Sequence, residues 1–102
     1  MNITAEEAKQ LMDTQENYII LDVRTSEEFA EKHIPTAINV PNETIGKDDI
    51  PELPSKDQLI FVYCRSGNRS KQASEKLADL GYMKVYEFGG INDWTGETVS
   101  EK

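Results

Sequence analysis

The sequence predicts an α/β domain with a mainly parallel central sheet and helices on both faces, and three observations carry that expectation. Residues 59–63, LIFVY, are continuously apolar, as a strand covered on both faces must be. Segments that read as strands alternate along the chain with segments that read as helices, which is the pattern of parallel βαβ units. The length, 102 residues, closes one hydrophobic core and is too short for two, so residues 1–102 are expected to form one domain.

The elements follow in order. Thr4 and Glu7 have the spacing of a capping box, and Ala5, Ala8, Leu11 and Met12 then share one face, so the first helix is placed near residues 5–13. YIILDV, residues 18–23, is β-branched and aromatic up to an acidic end and reads as a buried strand. Ser26 opens two helical turns in SEEFAEKH, and Ile34-Pro35 forces an extended exit, because a residue before proline is pushed out of the α region. AINVP, residues 37–41, reads as a second short strand. Residues 42–56 are rich in acid, glycine and proline, with Ile45, Ile50 and Leu53 as apolar anchors, and are expected to form a loop with one helical turn. The central strand LIFVY ends at Cys64. Ala73, Leu77 and Leu80 stand at helical spacing over residues 70–80, and Gly81 supplies the stop. MKVYEF, residues 83–88, gives a further strand, and GGINDWTG a turn and a short terminal helix carrying Trp94. There is no internal repeat and no low-complexity tract.

Composition excludes several functions. Eleven basic against nineteen acidic side chains leave a net charge of -8, so a phosphate backbone or an anionic membrane surface is repelled, and neither nucleic acid nor membrane is an expected partner. The longest apolar stretch, Leu59 to Cys64, falls well short of the roughly 20 residues that span a bilayer as a helix. The amino terminus is polar and acidic and does not read as a secretory signal, which makes the cytoplasm the expected location. With Cys64 as the one cysteine and His33 as the one histidine, no intramolecular disulfide and no Cys/His zinc cluster can form, and no metal or other cofactor is expected.

The stretch that carries chemistry is Tyr63-Cys64-Arg65-Ser66-Gly67-Asn68-Arg69-Ser70, between the carboxyl end of a buried strand and the amino end of a helix. Free backbone N–H groups and the positive end of the helix dipole converge there, and open α/β sheets bind ligands at that place. A cysteine at the mouth of such an anion site becomes more acidic, and the thiolate is the nucleophile. The chain has three arginines, Arg24, Arg65 and Arg69, against eight lysines, and two of the three flank Cys64. Their planar forks suit bidentate anion contacts. Gly67 allows positive φ in a tight ring, and Asn68 tolerates it.

This loop resembles the active-site loop of the rhodanese-like sulfurtransferases. Leu21-Asp22-Val23-Arg24 with Glu28-Phe29, then His33-Ile34-Pro35 and Ala37-Ile38-Asn39-Val40-Pro41, resemble two upstream motifs of that family in order and spacing, and Gly89-Gly90-Ile91 with Trp94 resembles a downstream one. Lys32 and Thr36 depart from it, standing where the family often has glycine, and the tail after Trp94 lacks the common Gly-Tyr-Pro pattern. The resemblance implies a small monomeric domain that transfers sulfur in two half-reactions. Cys64 takes a sulfane sulfur from thiosulfate or a low-molecular-weight persulfide, then passes it to a thiol or cyanide, or into a sulfur-relay protein. Arg65 and Arg69 would orient the donor anion, and the backbone of Ser66, Gly67 and Asn68 would complete the cradle. Asp22 and Arg24 would form an ion pair supporting the loop. Two alternatives stand beside this one: a phosphatase or arsenate reductase, disfavoured because Cys64 to Arg69 is C-x4-R and not C-x5-R, and a non-catalytic binding module on the same scaffold.

The remaining polar and aromatic signals read as structural. Nothing in the sequence brings His33 toward Cys64 as a base, and Trp94 reads as core. The acids at Glu6-Glu7, Glu27-Glu28 and Asp48-Asp49 read as a solvated exterior that could also steer a basic partner.

Overall fold

A computed structural model describes residues 1–46 and 50–101; the Asp48-Asp49 pair lies outside the described residues. In chain order it contains helix α1 (Ala5–Thr14), strand β1 (Tyr18–Asp22), helix α2 (Ser26–Glu31), strand β2 (Ile38–Asn39), a 3₁₀ turn at Asn42–Thr44, strand β3 (Leu59–Cys64), helix α3 (Asn68–Asp79), strand β4 (Lys84–Gly90) and a 3₁₀ turn at Ile91–Asp93. The four strands form one sheet in the order β2-β1-β3-β4, and every pair is parallel. From β1 the chain steps outward to β2 and then returns to the other side of β1 as β3. The order of strands reverses between β1 and β3, and the carboxyl ends of those two strands, Asp22 and Cys64, border the crevice where such sheets bind ligands.

The apolar run of β3 is explained by two separate cores. Ile60, Val62 and Cys64 face one way, into a cluster with Ala73 and Leu77 of α3. Phe61 and Tyr63 face the other way, into a cluster with Ala8 of α1 and with Phe29 of α2 packed at its edge. Successive side chains of a strand point to opposite faces, so a strand sandwiched between helices is apolar at every position. The predicted α/β class with helices on both faces is therefore the observed one.

Local signals placed the elements and missed some of their ends. The Thr4–Glu7 capping box is present, both reciprocal bonds formed. Helix α2 is capped by Thr25 and not by Ser26, because Thr25 and Glu28 form a second capping box. Helix α3 starts at Asn68 rather than at residue 70, and β4 continues through Gly89 and Gly90. The terminal helix reduces to the single turn Ile91–Asp93, with Trp94 directly after it. Trp94 is half-buried against Phe88, their rings 5.7 Å apart. Thr36, where glycine was the expectation of the family resemblance, adopts φ +70 all the same. Ala37 N–H donates to Ile34 O at 3.0 Å, which closes a turn with Pro35 and Thr36 at its centre, and a type II turn of this kind demands positive φ at its third residue. No helix among the described residues is long and apolar enough to cross a membrane.

Candidate active site

Cys64 ends β3, and the chain turns through Arg65, Ser66 and Gly67 into α3. Gly67 caps the helix with φ +113, a conformation that costs glycine nothing and a side chain a good deal. The Gly67 N–H points at the Cys64 sulfur, 3.0 Å away, and the positive φ turns the chain from there into α3. Burial by itself pushes the thiol up. The hydroxyl and amide of Ser70 and the amides of Gly67 and Ser66 outweigh it, so the Cys64 thiol lies below its ordinary value. The sulfur lies under the turn at the end of the apolar cluster of Val62, Ala73 and Leu77, 1% exposed as a residue, while Arg65 and Ser66 are exposed at the rim.

The turn rests on the end of β4. A Cβ built on Gly90 would fall 1.9 Å from Arg65 O and 2.7 Å from Ser66 N, so the Arg65–Ser66 peptide lies directly on the glycine backbone. The register of β3 on β4 shifts there, Val62 facing Glu87 and Cys64 facing Gly90. The extra residue on β4 is a bulge that brings Gly89 and Gly90 under the turn. The Gly-Gly pair of the downstream motif thus has a steric reason.

Asp22 and Arg24 form the expected ion pair, Nη2 to Oδ2 at 2.7 Å, with both side chains almost wholly buried. Burial pulls the Arg24 guanidinium down, but the Asp22 carboxylate outweighs that and holds it above its ordinary value. Arg24 also donates to Lys32 O and lies over the Tyr63 ring, 5.7 Å from its centre. Tyr63 Oη in turn accepts the Ile34 N–H at 3.1 Å. These contacts join the pair to Tyr63, the residue before the cysteine, and to the 32–34 segment.

Arg69, at the start of α3, reaches across to α2. Its fork is filled by Glu28, Nη1 to Oε1 at 2.7 Å and Nη2 to Oε2 at 3.1 Å. Glu28 belongs to α2 on one face of the sheet and Arg69 to α3 on the other, so the pair bridges the crevice. Arg69, with the capping contacts from the Thr25 amide and hydroxyl, outweighs the burial of Glu28 and holds its carboxyl at about 2. Beside this bridge is a cavity of about 220 Å³ lined by Arg24, Glu28, Glu31, Lys32, Arg65, Ile91 and Asn92. Arg65 is exposed at its edge.

Three residues of the site escaped the sequence reading. Glu28 was legible in part, since Thr25-x-x-Glu28 is a capping-box spacing. Ser70 stood in the loop without a role; it is wholly buried, and its hydroxyl lies 2.9 Å from Gly67 O and 2.8 Å from Glu87 Oε1. Glu87, 2% exposed in β4, gave no signal. His33 is engaged elsewhere: its Nδ1 meets Phe29 O at 2.8 Å and its ring stacks on Phe29. Among the described residues no group of three or more His, Cys, Asp and Glu is arranged to hold a metal ion. A cavity of about 470 Å³ lined by Asn17, Gln58, Leu59 and Lys84 lies at the amino ends of the strands, away from the crevice.

The rhodanese-like domain model matches residues 4–97. A sulfurtransferase of Allochromatium vinosum is 38% identical over 93 residues, covering 90% of this chain and 85% of that protein. The thiosulfate sulfurtransferase PspE of Escherichia coli is 36% identical over 73 residues, 72% of this chain and 70% of that protein. Other curated relatives are much longer: the chain spans 51% of YrkF from Bacillus subtilis and 24% of the adenylyltransferase and sulfurtransferase UBA4 from Candida albicans. Among solved structures, a rhodanese with anions from E. coli superposes with a TM-score of 0.75 at 32% identity, covering 81% of this chain and 98% of that one.

Proposed function

The chain belongs to the family of rhodanese-like domains, and we propose that it is a sulfurtransferase in which Cys64 carries the sulfur as a persulfide. The observation that supports this best is the seat of the cysteine: a sulfur at the carboxyl end of a central parallel strand, with an N–H aimed at it from 3.0 Å and a thiol held below its ordinary value. Preorganised amide donors stabilise negative sulfur with no metal or organic group.

In the first half-reaction the Cys64 thiolate attacks the outer sulfur of thiosulfate. A bond forms between Sγ and that sulfur, the sulfur–sulfur bond of the donor breaks, and sulfite leaves with the electron pair. A low-molecular-weight persulfide donor reacts in the same way and releases a thiolate. In the second half-reaction cyanide or a thiolate attacks the terminal sulfur, the persulfide bond breaks, and Cys64 returns as thiolate. Arg65 at the rim receives the donor's anionic end, the amides of Ser66, Gly67 and Asn68 line the cradle, and Arg69, committed to Glu28, keeps the turn closed. Asp22 and Arg24 brace it from below. The match to half of YrkF, whose name is that of a sulfur carrier protein, supports a sulfur-relay protein as acceptor.

Treatment with thiosulfate is expected to add one sulfur atom by intact-protein mass spectrometry, and cyanide to remove it as thiocyanate. Cys64→Ser is expected to do neither. A wild-type protein that stays unmodified while its thiol remains alkylatable would refute the proposal.

A further inference from the structure

The Glu28–Arg69 bridge also decides how much positive charge meets a donor. Glu28 lines the cavity of about 220 Å³ beside the Cys64 turn and Arg69 does not, so the carboxylate stands between the guanidinium and the space an anion would enter. Both ends of the Arg69 fork are engaged, Nη1 with Oε1 at 2.7 Å and Nη2 with Oε2 at 3.1 Å. The carboxylate is itself anchored from α2, where Oε1 accepts the Thr25 amide at 3.0 Å and the Thr25 hydroxyl at 3.1 Å. A solute anion that sought Arg69 would have to displace a carboxylate held from both sides of the crevice.

The other charges on the cavity wall leave little to attract a second negative charge. Arg24 is committed to Asp22 at 2.7 Å, and Glu31 and Lys32 oppose each other in sign. Arg65 is exposed and forms no ion pair among the described residues. Taken with Asp22 and Arg69, the wall carries four cations and three carboxylates, which leaves a single positive charge. Around it the chain has a net charge of -8, and that field repels a dianion more than a monoanion.

We propose that Glu28 sets donor specificity: by filling the Arg69 fork it leaves Arg65 as the one arginine open to a donor, and so turns the site from dianionic donors such as thiosulfate toward singly charged ones such as alkyl persulfides and thiosulfonates. This rests on the reading of Cys64 as the reacting sulfur. Glu28 acts through Arg69 and is a positioning residue. Its carboxyl, held at about 2, stays ionised at neutral pH, so the fork is not released by protonation there. Removing the carboxylate would add one guanidinium to the mouth, and the attraction of that charge for an anion is proportional to the anion's own charge.

The test compares two donors that differ by one charge, thiosulfate and methanethiosulfonate, with cyanide as acceptor. In both, Sγ bonds to the outer sulfur, the donor's sulfur–sulfur bond breaks, and sulfite or methanesulfinate leaves with the electron pair. Glu28→Gln removes the charge and keeps a residue that suits the third position of a capping box. Its kcat/KM is expected to rise about tenfold for thiosulfate and about threefold for methanethiosulfonate, because a dianion gains the square of the factor a monoanion gains. Arg69→Gln, which leaves the carboxylate bare, is expected to shift the ratio of the two donors the opposite way. The double variant, neutral at both positions like the wild-type pair taken together, is expected to restore the wild-type ratio whatever it does to the absolute rates. A merely structural role would change both donors by one common factor; that result in the single variants, or a double variant whose ratio stays shifted, overturns the proposal. Protection of Cys64 from iodoacetamide by sulfate against methanesulfonate reads the same charge preference with no sulfur moved. Absence of sulfur transfer therefore refutes the reading of Cys64, whereas a protection ratio that is the same in wild type and Glu28→Gln refutes the role of Glu28.

Discussion

Replacing Gly90 by alanine puts one methyl group where the structure has backbone. The added carbon would stand 1.9 Å from Arg65 O, 2.4 Å from Arg65 C and 2.7 Å from Ser66 N. A carbon–oxygen contact settles at about 3.3 Å or more, so the Arg65 carbonyl must retreat by over ~1 Å. Gly90 itself has φ -135 and ψ 158, open to alanine, so the whole cost comes from the displaced peptide. Overpacking of this kind costs about 1–3 kcal/mol, and at about 4–8 °C per kcal/mol for a domain of this size the melting temperature should drop by roughly 5–20 °C. The displaced peptide, Arg65–Ser66, carries one of the amides that act on Cys64, and a shift of about 1 Å at a reacting centre costs on the order of 100-fold in rate. The assays are thermal or urea unfolding and the rate of Cys64 alkylation at neutral pH. Two controls separate the causes. Gly46→Ala has nothing within 4 Å of the new carbon and should change neither quantity; Gly89→Ala meets no atom but sits at φ +86, so it should lose about 1 kcal/mol through backbone strain. If Gly90→Ala unfolds at the wild-type midpoint and is alkylated at the wild-type rate, the turn does not rest on this glycine and the account of its geometry fails.

Two further outcomes follow from the geometry. Glu28, held at about 2 against an ordinary 4.5, has its folded value depressed, so its contribution is fully present above 4.5 and is lost as pH falls toward 2. Wild type should lose about 1 kcal/mol more stability than Glu28→Gln across that window, a figure reduced for solvent screening of the partly exposed pair; parallel pH–stability curves would refute it. Thr36→Gly relieves a β-branched residue at φ +70. It should raise the urea midpoint by the equivalent of about 0.5–1 kcal/mol, the strain removed exceeding the chain entropy that glycine adds. A lowered midpoint would mean that the threonine side chain has a stabilising role that its exposure conceals.

Much of this protein was legible from neighbours in sequence. The apolar run of β3 declared a strand between two helical layers, Thr4 with Glu7 declared the start of α1, and a cysteine between that strand and a glycine-containing turn declared the site. Each of these is a short-range fact: side-chain alternation, a cap and a backbone conformation are decided within a few residues. The resemblance gave the Asp22–Arg24 ion pair and the Gly89-Gly90 pair, but not the contacts of Arg24 with Lys32 and Tyr63 or of Gly90 with the Arg65–Ser66 peptide. What the fold alone decided are the pairings across the crevice. Arg69 meets Glu28 across 41 residues of chain because the strand order sets α2 and α3 on opposite sides of one switch point. Gly90 lies under Arg65 because a bulge shifts the register of β4 by one residue after Glu87, and Glu87 reaches Ser70 of α3 because α3 packs against that strand. Partner choice over such separations depends on which strands adjoin and in what register, and those are fixed by burying both faces of the sheet at once, a condition that no local stretch of sequence contains.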